Sequence, residues 1–184
     1  MKKLSLKELN RVDIHTFKNQ DKSPITIVLD NVRSMNNVGS AFRTSDCFAL
    51  EKIYLCGITA KPPHRDIEKT ALGATRSMEW EYIKESSQLV KQLKKEGYIV
   101  LAVEQTNESV FIHEYSPLAE EKYALVFGNE VNGVSDEVMA LIDGCLEIPQ
   151  FGTKHSFNIS VSIGIVAWDF FSKTQLKVKR NSIP

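Results

Sequence analysis

Long apolar runs are missing from this 184-residue sequence. The most apolar stretch lies near the end and is interrupted by Asp169, which argues against a membrane span. The start, MKKLSLKELNR, lacks the apolar middle of a secretory signal. Cysteine is scarce. Cys47, Cys56 and Cys145 are odd in number, sit in apolar contexts and form no close pair. They read as reduced core thiols of a cytoplasmic protein rather than as disulfides or metal ligands. Net charge is also missing, since 23 basic residues balance 23 acidic ones. The overall field therefore gives no support for nucleic-acid binding. His15, His64, His113 and His155 are scattered and make no HExxH motif, so no metal site is expected. No GxSxG elbow, GxGxxG fingerprint or GxxxxGK loop occurs, and no carboxylate pair follows glycosidase logic.

What remains is an ordinary globular composition, 42% hydrophobic and 25% charged, with no internal repeat. Basic residues gather at the two ends: Lys2, Lys3, Lys7 and Arg11, then Lys173, Lys177, Lys179 and Arg180. Such arms either make a local phosphate-binding surface or merely keep the ends soluble. Apolar β-rich runs at 25–30, 52–57, 98–105, 123–130 and 145–150 read as strands. Helices are expected over 38–49, 86–96, 135–143 and 157–173, with Gly97 and Ser135 as stop and start signals. Residues 58–80 read as a long, partly helical surface segment, and 107–117 as a connection of undefined structure. Strands alternating with helices predict an α/β fold, a mostly parallel sheet flanked by helices on both faces. The expected layout is an arm at 1–22, one domain at 23–173 and a basic tail at 174–184.

Three loops follow strands, the place where open α/β sheets bind ligands. NNVGSAFR (36–43) opens a helix, with Gly39 permitting close backbone approach. Arg43 is either a phosphate-binding or charge-organising group or a solvated helix arginine. FGNEVNGVSDE (127–137) places Glu130 between Gly128 and Gly133, either cradling a ligand or simply turning the chain. IPQFGTKHSFNIS (148–160) places Ser156 and Asn158 at a helix start. His155 beside them is either a general base or an exposed loop residue.

Taken in order, NNVGSAFRTSD, ALVFGNEVNGVSDEVM and LEIPQFGTKHSFNISVSIGIVAWDF resemble the three motifs of the SpoU/TrmH family of RNA 2′-O-ribose methyltransferases, part of the SPOUT group. TALGATRSMEW (70–80) adds to the likeness, which covers about residues 24–172. The resemblance implies a deep C-terminal trefoil knot over roughly 124–172, which periodicity alone does not indicate. It implies S-adenosyl-L-methionine as cofactor, with Val103, Gly128, Ile148 and Ser156 in contact with it and Phe127, Asn129, Pro149 and Phe157 lining its pocket. It implies polar active-site roles for Asn37, Arg43, Glu130, Ser156 and Asn158. Arg43 would sit by the ribose or its phosphate and help activate the hydroxyl. Asn37 and Glu130 would position it or the RNA, and Asn158 would support Ser156. No metal is required.

The family resemblance further implies a homodimer with sites near the interface, to which Trp168, Phe170 and Phe171 contribute unless they are core. The partner would be RNA. Short arms favour tRNA, with rRNA as the alternative, and 59–78 is open as a substrate-choice segment. Base methylation, as in other SPOUT branches, and a non-catalytic RNA-binding dimer are the further alternatives.

Overall fold

The structure, a computed structural model, describes residues 1–5 and 8–176. Lys7, Lys177, Lys179 and Arg180 of the two basic arms lie outside the described residues. After a short helix α1 (Ile14–Asn19) come β1 (Ser23–Asp30), α2 (Met35–Cys47), β2 (Leu50–Cys56), α3 (Arg65–Ala71), α4 (Ala74–Ser77) and β3 (Trp80–Ile83). The second half runs α5 (Ser86–Lys95), β4 (Tyr98–Val103), β5 (Val110–Phe111), β6 (Lys122–Phe127), α6 (Asp136–Met139), β7 (Gly144–Glu147) and α7 (Ile159–Phe171), with a π-helical turn at Ser172–Leu176.

Among the described residues the strands form one sheet in the order β3-β2-β1-β6-β4-β7-β5, and every pairing is parallel. The central strands explain why. Apart from Pro24, every residue of β1 is buried, as is β6 from Tyr123 to Phe127. A strand hidden on both faces is mostly apolar, which is the signature of a covered parallel sheet, and the polar exceptions in β1 are Ser23, Thr26 and Asp30. One apolar layer gathers Phe42, Ile27, Leu125, Ile163 and Phe170, and the other gathers Val28, Leu89, Val126 and Val138.

α7 shows packing overriding propensity. It carries Ile159, Val161, Ile163, Ile165 and Val166, each costing a helix a few tenths of a kcal/mol relative to alanine (about 0.5). Ile159, Ile163, Val166, Ala167 and Phe170 form a buried stripe, and burying each large side chain contributes about 1.5–3 kcal/mol. Asn158 starts the helix, its Oδ1 accepting from Ser160 N–H at 2.9 Å. Tyr115 stacks on Phe170 with centroids 5.7 Å apart, so the segment after β5 lies over α7. Lys173 closes that contact by donating to the carbonyls of Ile112 and Tyr115 at 2.7 and 2.9 Å.

Several expectations are corrected. Lys173 is held inside the fold rather than offered on a basic arm. Cys47 is exposed, because it falls on the outer side of the last turn of α2, whereas Cys56 and Cys145 are buried. Burial pushes the Cys56 thiol up to about 12 and raises that of Cys145. Segment 58–80 is partly helical as expected, with α3, α4 and the start of an edge strand, but it is not merely surface, since Ile67, Ala71, Ala74 and Met78 join the core. The helix expected over 135–143 shrinks to α6, and the side chain of Ser135 does not cap it. That hydroxyl instead donates to buried Asp30 at 2.7 Å.

Candidate functional site

Three loops leave the C-terminal ends of neighbouring strands and meet around a cavity of about 430 Å³. Its floor is apolar, from Val103, Phe127, Leu146 and Ile148 at the ends of β4, β6 and β7. Glycine makes the middle loop possible. A Cβ on Gly128 would fall 2.1 Å from Gly133 C and Val134 N, so only hydrogen fits where the loop folds against itself. Gly133 adopts φ +69, and the backbone groups of Asn129 and Gly133 exchange hydrogen bonds at 2.8 and 2.9 Å. The side chain of Asn129 ties the loop inward and outward: its Nδ2 donates to Asn31 O at 2.8 Å, and its Oδ1 accepts from Val131 N–H at 2.9 Å. Asp30 anchors the end of the same loop. Its Oδ2 accepts from both N–H and Oγ of Ser135, and its Oδ1 from Ser86 Oγ at 2.7 Å.

Glu130 joins this loop to the first motif. Its carboxylate accepts from the backbone N–H groups of Arg33 and Ser34, each at 3.0 Å, and from Asn37 Nδ2 at 3.2 Å. Partial burial works against its ionisation. The hydrogen bonds from Arg33 and Ser34 outweigh it, and the pKa lies below the ordinary carboxylate value. Ser34 caps α2 by accepting from Asn37 N–H, so Glu130 grips the helix at its first turn.

The expected residues divide accordingly. Val103, Phe127, Gly128, Asn129, Ile148, Ser156 and Phe157 line the cavity, together with Glu130 and Asn158. Pro149 does not, although Ile148 and Gln150 on either side of it do. Asn37 is buried and reaches the cavity only through Glu130. Arg43 is exposed on α2 outside the cavity, and Glu130 bonds to the helix start rather than to it. Asn158 bonds to Ser160, not to Ser156. His155 is exposed and does not line the cavity. Sequence reasoning missed Glu104, Gln105, Glu147 and Gln150, which also line it. Glu104 and Glu147 stand at or just past the ends of β4 and β7, where the strand-end rule directs attention.

The chemistry of this lining is selective. Glu104, Glu130 and Glu147 border the cavity, and among the described residues no lysine or arginine does. A phosphate-rich dinucleotide would meet only negative charge. A nucleoside carrying positive charge would meet an apolar floor and attraction, in a volume within the usual range of small-molecule sites, about 300–1,000 Å³. Among the described residues, no group of His, Cys, Asp and Glu is placed to hold a metal ion, and no helix is long and apolar enough to cross a membrane.

A parallel sheet with its ligand cavity built from strand-end loops defines an α/β class with many members. Residues 24–168 match the SpoU rRNA Methylase family, and the chain belongs to that family. It is 26% identical to the tRNA (guanosine(18)-2′-O)-methyltransferase of Borreliella burgdorferi over 86% of this chain and 69% of that one. It is 26% identical to the 23S rRNA (guanosine-2′-O-)-methyltransferase RlmB of Neisseria meningitidis over 82% of this chain and 59% of that one. The chain thus spans about three fifths of the Neisseria enzyme. Among solved structures, the TrmH/SpoU tRNA modifying enzyme of A. aeolicus superposes with a TM-score of 0.78 and 25% identity, over 90% of this chain and 82% of that one. The SpoU methyltransferase AviRb of Streptomyces viridochromogenes, in complex with AdoMet, shares the fold with a TM-score of 0.76 at 14% identity, over 88% of this chain and 64% of that one.

Proposed function

We propose that the chain is an S-adenosylmethionine-dependent methyltransferase acting on a ribose 2′-hydroxyl of RNA, with tRNA the preferred substrate. The observation that carries this reading is the anionic cavity with an apolar floor, coupled through Glu130 to the start of α2. It suits a cationic nucleoside donor, and S-adenosylmethionine supplies an electrophilic methyl on a sulfonium. Backbone groups of the 128–134 loop and the apolar strand ends hold the nucleoside. Ser156 and Phe157 flank it from the third loop. A ribose hydroxyl has a pKa far above neutrality, so alignment and stabilisation of incipient charge do the catalytic work. Exposed Arg43 is the group for that task, binding the ribose or its phosphate, while Asn37 acts through Glu130 and Asn158 fixes the start of α7.

The reading includes the family's finer architecture. Over about residues 124–172 the chain forms a trefoil knot. The insertion of β6 between β1 and β4, and the return of α7 onto α2, support it. The protein acts as a homodimer. Trp168 is 51% exposed on α7 and clusters with Phe48 and Phe171, an apolar face suited to a second copy. Phe170, by contrast, is wholly buried core. The catalytic domain is 23–173, with an arm before it and a basic tail after it, in the cytoplasm and without a metal.

Both tRNA and rRNA enzymes are among the relatives, so rRNA is the second reading. Incubation with labelled S-adenosylmethionine and fractionated, unmodified RNA, followed by nucleoside analysis, decides between them. A labelled 2′-O-methyl nucleoside in the tRNA fraction is expected. Label in rRNA alone reverses the substrate preference, and label on a base overturns the chemistry.

A further inference from the structure

The three carboxylates around the cavity are not equivalent. Glu130 has both oxygens engaged by N–H groups of Arg33, Ser34 and Asn37. Glu104 also has both engaged: Oε1 accepts from Gln105 N–H at 3.0 Å and Oε2 from Val134 N–H at 3.3 Å. These two therefore hold loops in place. Glu147 differs. Its Oε2 accepts from Ser109 Oγ at 2.6 Å, and among the described residues its Oε1 accepts from nothing. It stands half-buried at the end of β7, its backbone carbonyl taken by Ile112 N–H at 2.9 Å. Its position is thus fixed by strand pairing and by Ser109, while one anionic oxygen is left for whatever enters the cavity.

We infer that Glu147 is the residue by which the cavity distinguishes the cationic methyl donor from its neutral product. This rests on the methyl-donor reading of the cavity. Methyl transfer breaks the sulfur–carbon bond and forms a carbon–oxygen bond at the 2′-oxygen, whose proton leaves to solvent. Sulfur keeps the bonding pair, so a ligand of net charge +1 becomes one of net charge zero. Donor and product share nearly all their atoms, and shape separates them poorly. Charge separates them well, and among the described residues no lysine or arginine in the lining offsets the pull of a carboxylate. Glu147 holds the donor more tightly than the product and so favours exchange after each turnover.

The test is calorimetric titration of the full chain with S-adenosylmethionine, S-adenosylhomocysteine and adenosine, for the wild type, Glu147→Gln and Glu147→Asp. Glutamine keeps an oxygen for Ser109 and removes only the charge. Expected is a loss of about fivefold in affinity for S-adenosylmethionine with Glu147→Gln, a loss below about twofold for the two neutral ligands, and partial recovery with Glu147→Asp. The donor-specific gap should narrow as salt rises from about 50 to about 500 mM. Equal weakening for all three ligands, or none for the cation, overturns the inference while leaving the donor site intact. A wild-type chain that binds none of the three overturns the donor reading itself and the inference with it.

Discussion

Glu130 and Asn37 lie 93 positions apart in the chain, yet the carboxylate Oε1 of one stands 3.2 Å from the side-chain amide of the other. The same carboxylate holds two backbone N–H groups ahead of α2. This makes Glu130 the clasp between the donor cavity and the helix that carries Arg43. Glu130→Gln presents an N–H where an acceptor is needed. It should lower stability by about 1 kcal/mol, or about 2–4 °C in Tm, and reduce methyl transfer about tenfold. The pH dependence has a definite sign. The folded-state pKa is depressed, so the stabilisation is fully present above the unfolded value, about 4.3, and is lost as pH falls through the folded one. Melting curves of both proteins should run a constant distance apart from about pH 8 to 6 and converge only below about pH 4.

Arg43 is exposed, and among the described residues it makes no ion pair. Arg43→Ala should leave Tm within about 1–2 °C and donor affinity unchanged, because surface changes of this kind usually cost less than about 0.5 kcal/mol. Single-turnover transfer should nevertheless fall about a hundredfold or more. Equal transfer rates for the two proteins would remove Arg43 from catalysis.

Gly128→Ala tests the donor loop by crowding alone. The added methyl would lie 2.1 Å from two backbone atoms of the returning chain, which cannot swing aside as a side-chain tip would. The expected cost is about 2–3 kcal/mol, seen in urea unfolding, together with weakened binding of S-adenosylmethionine. Unchanged donor affinity in a folded variant would show that the loop is not part of the donor site.

Trp168 and Phe170 are two positions apart on α7 and differ in kind, one half exposed and the other at 0% exposure. In sedimentation equilibrium, wild type should be a dimer and Trp168→Glu a folded monomer. Phe170→Ala should instead destabilise the fold by about 3–5 kcal/mol. A wild-type monomer, or a Trp168→Glu dimer of unchanged strength, would refute an interface on this face.

The strands were legible where burial on both sides demanded mostly apolar runs, as in ITIVLD and YALVF. β5, two exposed residues at the sheet edge, leaves no such trace because strand pairing rather than burial defines it. α6 read too long, since its apolar residues continue past Met139 into a turn that leads to β7. Of the site, the motif residues in the second and third loops were legible, and most of them do line the cavity. Arg43 and Asn37 were equally prominent in the sequence, but the fold sets them outside that space. Glu104 and Glu147 stood out less for a different reason. Each is a lone glutamate near a strand end, and only the adjacency of β4 and β7 in the sheet gives them a common cavity.

The placement of β6 also governs how such a chain can assemble. β3, β2 and β1 can pair among themselves once residue 83 has been made, but their link to β4 runs through β6 alone, which ends at Phe127. On the ribosome, the first half-sheet must wait with the edge of β1 bare until some forty more residues emerge. The late strand then joins the waiting β1 edge on one side to β4 on the other, and β7 adds beyond β4 only later. Folding should therefore be slow and strongly non-local, and truncation before residue 122 should leave a sticky fragment rather than a smaller stable sheet.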